Sequence, residues 1–275
     1  MEMSFLSISD MFLFNDRFTY SNKIKDTFKN IGLLCKSSDY AIVKGASIYN
    51  DLYVNSNHNL GNRVCPYFIK DSYSLYNRYM EYDGNLLWID SNNSNIGLRP
   101  VIVFDKIPQF LLDRIIINDG YYSLYFGEYP RNVCPINRDI YLNILFNRGN
   151  LESTNDGYAF DINGNMDRKY KYNNEMFIKS KINLFDKNFI RLSNGLIYKN
   201  NSYVWIKVEP VEWIVDINNN MLISKDVLLS GIKFDNRNKY NMSFENTKMY
   251  NFLNSYMIND MIYQSIDYKM RVKTK

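Results

Sequence analysis

Short polar breaks with a glycine after Asp or Asn separate apolar runs, for example Tyr82-Asp83-Gly84-Asn85, Ile162-Asn163-Gly164-Asn165 and Ser193-Asn194-Gly195-Leu196. Asp-Gly and Asn-Gly steps supply the positive φ angles of tight turns, so each predicts a β-hairpin. The runs between such breaks are rich in Tyr, Ile, Phe and Val, whose branched or aromatic side chains suit a pleated surface. Only Ala41, Ala46 and Ala159 supply the best helix former, so long helices are disfavoured. The residues therefore predict a β-rich α+β chain with few short helices.

Those helices are expected in three places. Residues 21–34 carry Ile24, Phe28 and Ile31 at a four-then-three spacing, with Gly32 near the end. Residues 139–149 open on Asp139 and stop at Gly149. Residues 244–261 follow Ser243, an N-cap candidate, and carry the stripe Met249, Phe252, Leu253 and Tyr256. Each stripe is expected to pack into a core. A boundary is expected at 105–121, dividing a unit of residues 1–107 from one of residues 121–275. Pro108 and the apolar Phe110, Leu111 and Leu112 predict a packed connection.

Charge narrows the partners. Lys and Arg total 33 against 29 Asp and Glu, a net +4, and no basic run exceeds two residues. Neither a nucleic-acid arm nor a polybasic membrane anchor is expected. The longest apolar candidate for a span, residues 107–117, is broken by Gln109, Asp113 and Arg114. The first residues lack a basic leader, so no signal peptide is expected. Cys35, Cys65 and Cys134 are odd in number and lack CxxC spacing, which argues against a disulfide framework or a zinc site. Synthesis in a reducing cytoplasm fits. Heavy use of Asn, Ile, Lys and Tyr, which have AT-rich codons, points to an AT-rich bacterium, a mycoplasma-like genome or one of their phages.

A catalytic set is not expected. His58 is the single histidine and sits in the polar Asn55-Ser56-Asn57-His58-Asn59, which reads as a loop. Neither GxGxxG nor GxxxxGK[ST] occurs. Glu209 and Glu212 are three apart in an extended segment, on opposite faces and unsuited to shared acid–base work. Asp161, Asn163, Asn165 and Asp167 alternate like a calcium loop, but the glycine is misplaced and the closing glutamate absent, so a polar hairpin turn is expected. Cys65 and Cys134 each precede proline with no neighbouring base, and buried thiols are expected. No catalytic residue, cofactor or metal ligand is assigned, and no binding residue is singled out.

Two blocks carry a family resemblance. Tyr79-Met80-Glu81-Tyr82-Asp83-Gly84-Asn85, followed by Gly97-Leu98-Arg99-Pro100-Val101, resembles the closing motif of a C-type-lectin-like domain family of unknown function found in Firmicutes and their phages. The arginine-proline step resembles one in the formylglycine-generating-enzyme fold. Phe126-Gly127-Glu128-Tyr129-Pro130 and Val208-Glu209-Pro210-Val211-Glu212-Trp213 are similar to a companion segment in such proteins. The resemblance implies a C-type-lectin-like twisted antiparallel sheet with long loops, plus a second β-rich unit. The sugar and calcium motifs of true lectins are not matched, since Val211 follows Glu209-Pro210 and Ile89 follows Trp88. The cysteine pair of the oxidase is not matched either.

Arg99 is expected to pin a loop by forking to carboxylates or carbonyls. Trp205 and Trp213, eight apart, are expected on one strand face and in the core. The function these features point to is non-catalytic: a bacteriophage virion component such as a capsid decoration, head-fibre or tail-associated protein. Its expected partners are other virion proteins or itself, with a host surface glycan or protein also possible. The alternative is a bacterial glycan- or protein-binding module in the cytoplasm. Nucleic acid and membrane are not expected partners.

Overall fold

The computed structural model describes residues 1–7, 10, 35–48, 63–73, 76–81, 86–90, 93–118, 121–234 and 243–265. The expected helix at 21–34, His58 and the turn at 82–85 lie outside them. In chain order the elements begin with β1 (Glu2–Ser4), α1 (Asp39–Val43), β2 (Tyr67–Tyr73), β3 (Tyr76–Met80), β4 (Leu86–Asp90), β5 (Val101–Val103), α2 (Gln109–Leu112) and β6 (Ile116–Asn118). Then come β7 (Tyr121–Val133), α3 (Ile136–Asn147), β8 (Glu152–Ala159), β9 (Met166–Tyr172), β10 (Glu175–Lys181), β11 (Phe189–Arg191), β12 (Ile197–Lys199), β13 (Tyr203–Asp216), β14 (Met221–Ser224) and α4 (Lys248–Phe252). The chain is β-rich with few helices, and the paired strands run antiparallel. Among the described residues no helix is long and apolar enough to cross a membrane.

The main sheet has nine strands and forks at β13. One edge of β13 pairs with β7 over Ile206 to Ile214. The β10 ladder overlaps this pairing at Ile206, and the β14 ladder overlaps it at Trp213. Both β10 and β14 must therefore lie on the opposite edge. One arm runs β10-β9-β8 and the other β14-β5-β1. Pro210, which has no N–H to donate, sits where neither arm pairs, and its carbonyl accepts from Arg131 Nη1 at 3.1 Å.

The predicted hairpins at 162–165 and 193–196 join β8 to β9 and β11 to β12, with Gly164 at φ +77° and Gly195 at φ +84°. The expected boundary at 105–121 does not separate the sheet: β1 and β5 lie on one side of it in sequence, yet β5 pairs with β14. Met3, Phe5, Tyr40 and Phe68 also share a core with Trp213, Phe234 and Phe252. The connection itself is packed as expected, with Leu111 fully buried.

Arg99 is buried and pins the chain as predicted. Its Nε donates to the Ser224 carbonyl at 2.9 Å and its Nη1 to the Tyr67 hydroxyl at 3.1 Å. Both tryptophans are buried, but the expectation of a shared face fails. Val204, Ile206 and Val208 face the main core in the first half of β13, and Val211, Trp213 and Val215 in the second. The alternation thus slips by one residue at Glu209-Pro210, and Trp205 packs in a separate cluster with Leu142 and Phe177.

Strand β7 holds two extra residues against β13, one between Val133 and Pro130 and one between Glu128 and Tyr125. The second bulge contains Gly127, at φ +70°. Onto it packs the C-terminal helical run, which continues from α4 through the wide turns Leu253–Met257 and Asn259–Tyr263. Thr247, rather than Ser243, caps α4 with its side chain, accepting from Tyr250 N at 3.1 Å. Met249, Phe252 and Leu253 enter the core, while Tyr256 stays about a third exposed beside the Gly164 turn. From the same run Asn254 reaches β1, where its Oδ1 accepts from Met3 N and its Nδ2 donates to Met3 O, both at 2.8 Å.

Candidate docking surface

Ser38 starts α1 by accepting from Ala41 N at 3.1 Å, which places Asp39 in the first turn with no exposed surface. The Asp39 carboxylate accepts from Val133 N at 2.9 Å and Ser193 N at 3.1 Å. It also accepts from the Ser193 hydroxyl and pairs with Arg63. One carboxylate thus ties together α1, the end of β7 and the β11–β12 turn.

A cleft of about 470 Å³ opens beside this junction, lined by Val133, Pro135, Ile136, Asn137, Ser193 and Asn194. Asn194 is already bonded, donating to the Cys134 carbonyl at 3.0 Å and the Tyr198 hydroxyl at 2.8 Å, and accepting from Leu196 N at 3.1 Å. With Ser193 held by Asp39, the lining offers the apolar surface of Val133, Pro135 and Ile136 more than free polar groups.

Helix α3 leaves from the cleft and is close to the predicted 139–149, with Gly149 at φ +71° just past its end. It packs into a core through Leu142 as expected, but its inner face is not wholly apolar. The inner face carries Leu142 together with Asp139 and Asn143, because Trp205 presents two donors there. Trp205 N donates to Asp139 Oδ1 at 3.2 Å, and the indole N–H to Asn143 Oδ1 at 3.0 Å. Phe146 and Tyr170 close on the indole edge-on, at 5.8 and 5.3 Å. Burial raises the Asp139 carboxyl, with the Trp205 N–H and Lys179 opposing. The outer face then carries Ile136, Ile140 and Ile144 at a spacing of four, each more than two-fifths exposed.

A second buried polar group lies behind α1. Lys44 Nζ pairs with Asp167 at 2.8 Å, the Tyr40 hydroxyl donates to the same carboxylate at 3.1 Å, and Lys44 sits 3.8 Å over the Phe160 ring. Burial lowers the Lys44 ammonium pKa and Asp167 opposes it. Nearby, Asp260 accepts from Ala159 N at 2.8 Å. Burial pushes its carboxyl up to about 6, with the Ala159 N–H and Lys169 opposing and Asp156 adding to the rise.

The folded chain therefore holds the Asp260 proton more tightly than the unfolded one. That contribution is complete below about pH 3 and is lost as the pH rises through 6. Replacing Asp260 with Asn removes the titration. Chemical unfolding from pH 4 to pH 7 should show the wild type losing about 2 kcal/mol relative to Asp260→Asn. A constant difference across that range would show that Asp260 does not titrate there.

The other residues flagged in the sequence have local partners. Glu209 accepts from Asn132 Nδ2 at 2.7 Å, and Glu212 pairs with Lys225 at 2.7 Å. Asp161 organises its own turn, accepting from Asn163 N and Asn165 N at 2.9 and 3.0 Å, while Asp167 points inward to Lys44. The three cysteines are buried. Sequence reading missed Asp39, Lys44 and Asp260. Ser38-Asp39 before the apolar residues 40–43 was a capping signal, on a helix too short to register by periodicity. Comparison with protein-family models, curated proteins and solved structures returned no match.

Proposed function

We propose that this chain is a non-catalytic binding and assembly protein: a bacteriophage virion component, of the capsid-decoration, head-fibre or tail-associated kind, on a C-type-lectin-like scaffold. The observation that carries the docking surface is the outward face of α3. Ile136, Ile140 and Ile144 form a continuous apolar stripe, and Ile136 also lines the cleft. A helix that turns Asp139 and Asn143 inward and three isoleucines outward suits a surface that another protein covers. A second copy or another virion protein is the partner this reading requires. The phage assignment rests on the family resemblance and the AT-rich residue usage.

Light scattering on the size-exclusion peak tests it. The wild type should form a defined oligomer, and Ile140→Glu should be monomeric. Because Ile140 is 54% exposed, the variant should keep the fold, with the circular dichroism spectrum of the wild type. A wild-type monomer at every concentration, absent from purified particles, would remove the assembly reading. The cleft supports a second reading, a monomeric module for a glycan or protein, which a glycan array would then test.

A further inference from the structure

Two short segments pair antiparallel beside α1. Ser37 N–H donates to the Arg63 carbonyl at 2.9 Å and Cys65 N–H to the Cys35 carbonyl at 3.1 Å, on either side of the Lys36–Val64 bridge. In this register Cys35 stands directly opposite Cys65. Directly opposed residues of this hydrogen-bonded kind have Cα atoms about 5.5 Å apart and side chains on the same face. A disulfide needs a Cα separation of roughly 4.4–6.8 Å. Both thiols enter the same small buried cluster, with Leu6, Ala41, Tyr67 and Val101. Cys134 belongs to another cluster, with Leu142 and Trp205.

We propose that Cys35 and Cys65 are a latent cross-strand oxidation site, closed by exchange with a low-molecular-weight disulfide. One cysteine thiolate attacks a sulfur of the small disulfide, forming a mixed disulfide and releasing one small thiol. The second cysteine, as thiolate, attacks the protein sulfur of that mixed disulfide, forms the Cys35–Cys65 bond and releases the second small thiol. The pair loses two electrons and two protons, and the small disulfide is reduced to two thiols.

Burial pushes the Cys35 thiol up to about 12 and raises Cys65 as well. Thiolate is therefore scarce in the closed fold, and exchange proceeds when the segment opens or while the chain folds. The bond would join the strand leading into Asp39 to the one leading out of Arg63, securing both ends of that ion pair. The proposal goes beyond the docking reading and does not depend on it.

The test refolds the wild-type chain in a glutathione–glutathione disulfide buffer, digests it without reduction and maps the cross-linked peptides by mass spectrometry. The expected product joins Cys35 to Cys65, is lighter by two hydrogens and leaves Cys134 open to alkylation. Its thermal midpoint should rise on the order of 5–10 °C, from closing a loop of about 30 residues. Dithiothreitol should reverse the rise, and Cys65→Ala should not show it. No cross-link, a cross-link through Cys134, or a Cys35–Cys65 bond that lowers the midpoint would each overturn the proposal. The peptide map needs no variant, so a misfolded Cys65→Ala leaves it decisive.

Discussion

Asp39→Ala should destabilise the protein by about 4 kcal/mol, the range expected when one member of a buried ion pair is removed. The carboxylate has four donors around it: Val133 N, Ser193 N, the Ser193 hydroxyl and the Arg63 guanidinium. Water can reach Ser193, so the loss falls chiefly on the buried Val133 N–H and on Arg63, whose side chain is only a quarter exposed. Urea unfolding measures the loss. Ser193→Ala separates the contributions, because it removes one exposed hydroxyl and should cost about 1 kcal/mol. If Asp39→Ala lost no more than that, the carboxylate would not be what joins the three elements. The cleft should loosen with the junction, so partner binding should fall in the same variant.

Gly127→Ala should cost about 3 kcal/mol, from two sources. The backbone there is at φ +70°, which an L side chain adopts at a cost of about 1 kcal/mol. An added Cβ would also lie 2.6 Å from Ile262 Cδ1 and 2.8 Å from the Met261 carbonyl oxygen. The isoleucine tip can rotate away, but the carbonyl belongs to the backbone and moves only if the helical run lifts off β7. Gly195→Ala is the control: its φ is +84°, yet the added Cβ meets nothing within 4 Å. It should pay the backbone cost alone. Hydrogen exchange supplies the second readout, since Gly127→Ala should lower amide protection across residues 253–263 and Gly195→Ala should not. Equal losses in the two variants would mean that the bulge does not seat the helical run.

What the sequence disclosed was local. The Asn-Gly pairs at 163–164 and 194–195 marked their hairpins because turn chemistry is set within four residues. Arg99 could be read as a pin from its place before a proline. The phase of β13 could not be read, because counting by twos from Trp205 to Trp213 assumes an unbroken alternation, and the slip at Glu209-Pro210 lies between them. The mixed inner face of α3 escaped for a related reason: its inner polar residues answer two donors on Trp205, more than sixty positions away. Asp39 is the extreme case. Its partners Arg63, Val133 and Ser193 are 24, 94 and 154 positions along the chain, beyond any pattern of spacing.

The grip of Asn254 on Met3 governs how copies of this chain could meet. Met3 pairs with Ile102 on its inner side, so the N–H and C=O that Asn254 takes are the ones β1 would offer to an incoming strand. A single side-chain amide here imitates one residue of a neighbouring strand and ends the ladder. Fibre growth by strand addition is stopped at that rim, so a β1-to-β1 ribbon between molecules is closed off. Any contact between copies at this rim must therefore be made by side chains and not by strand pairing.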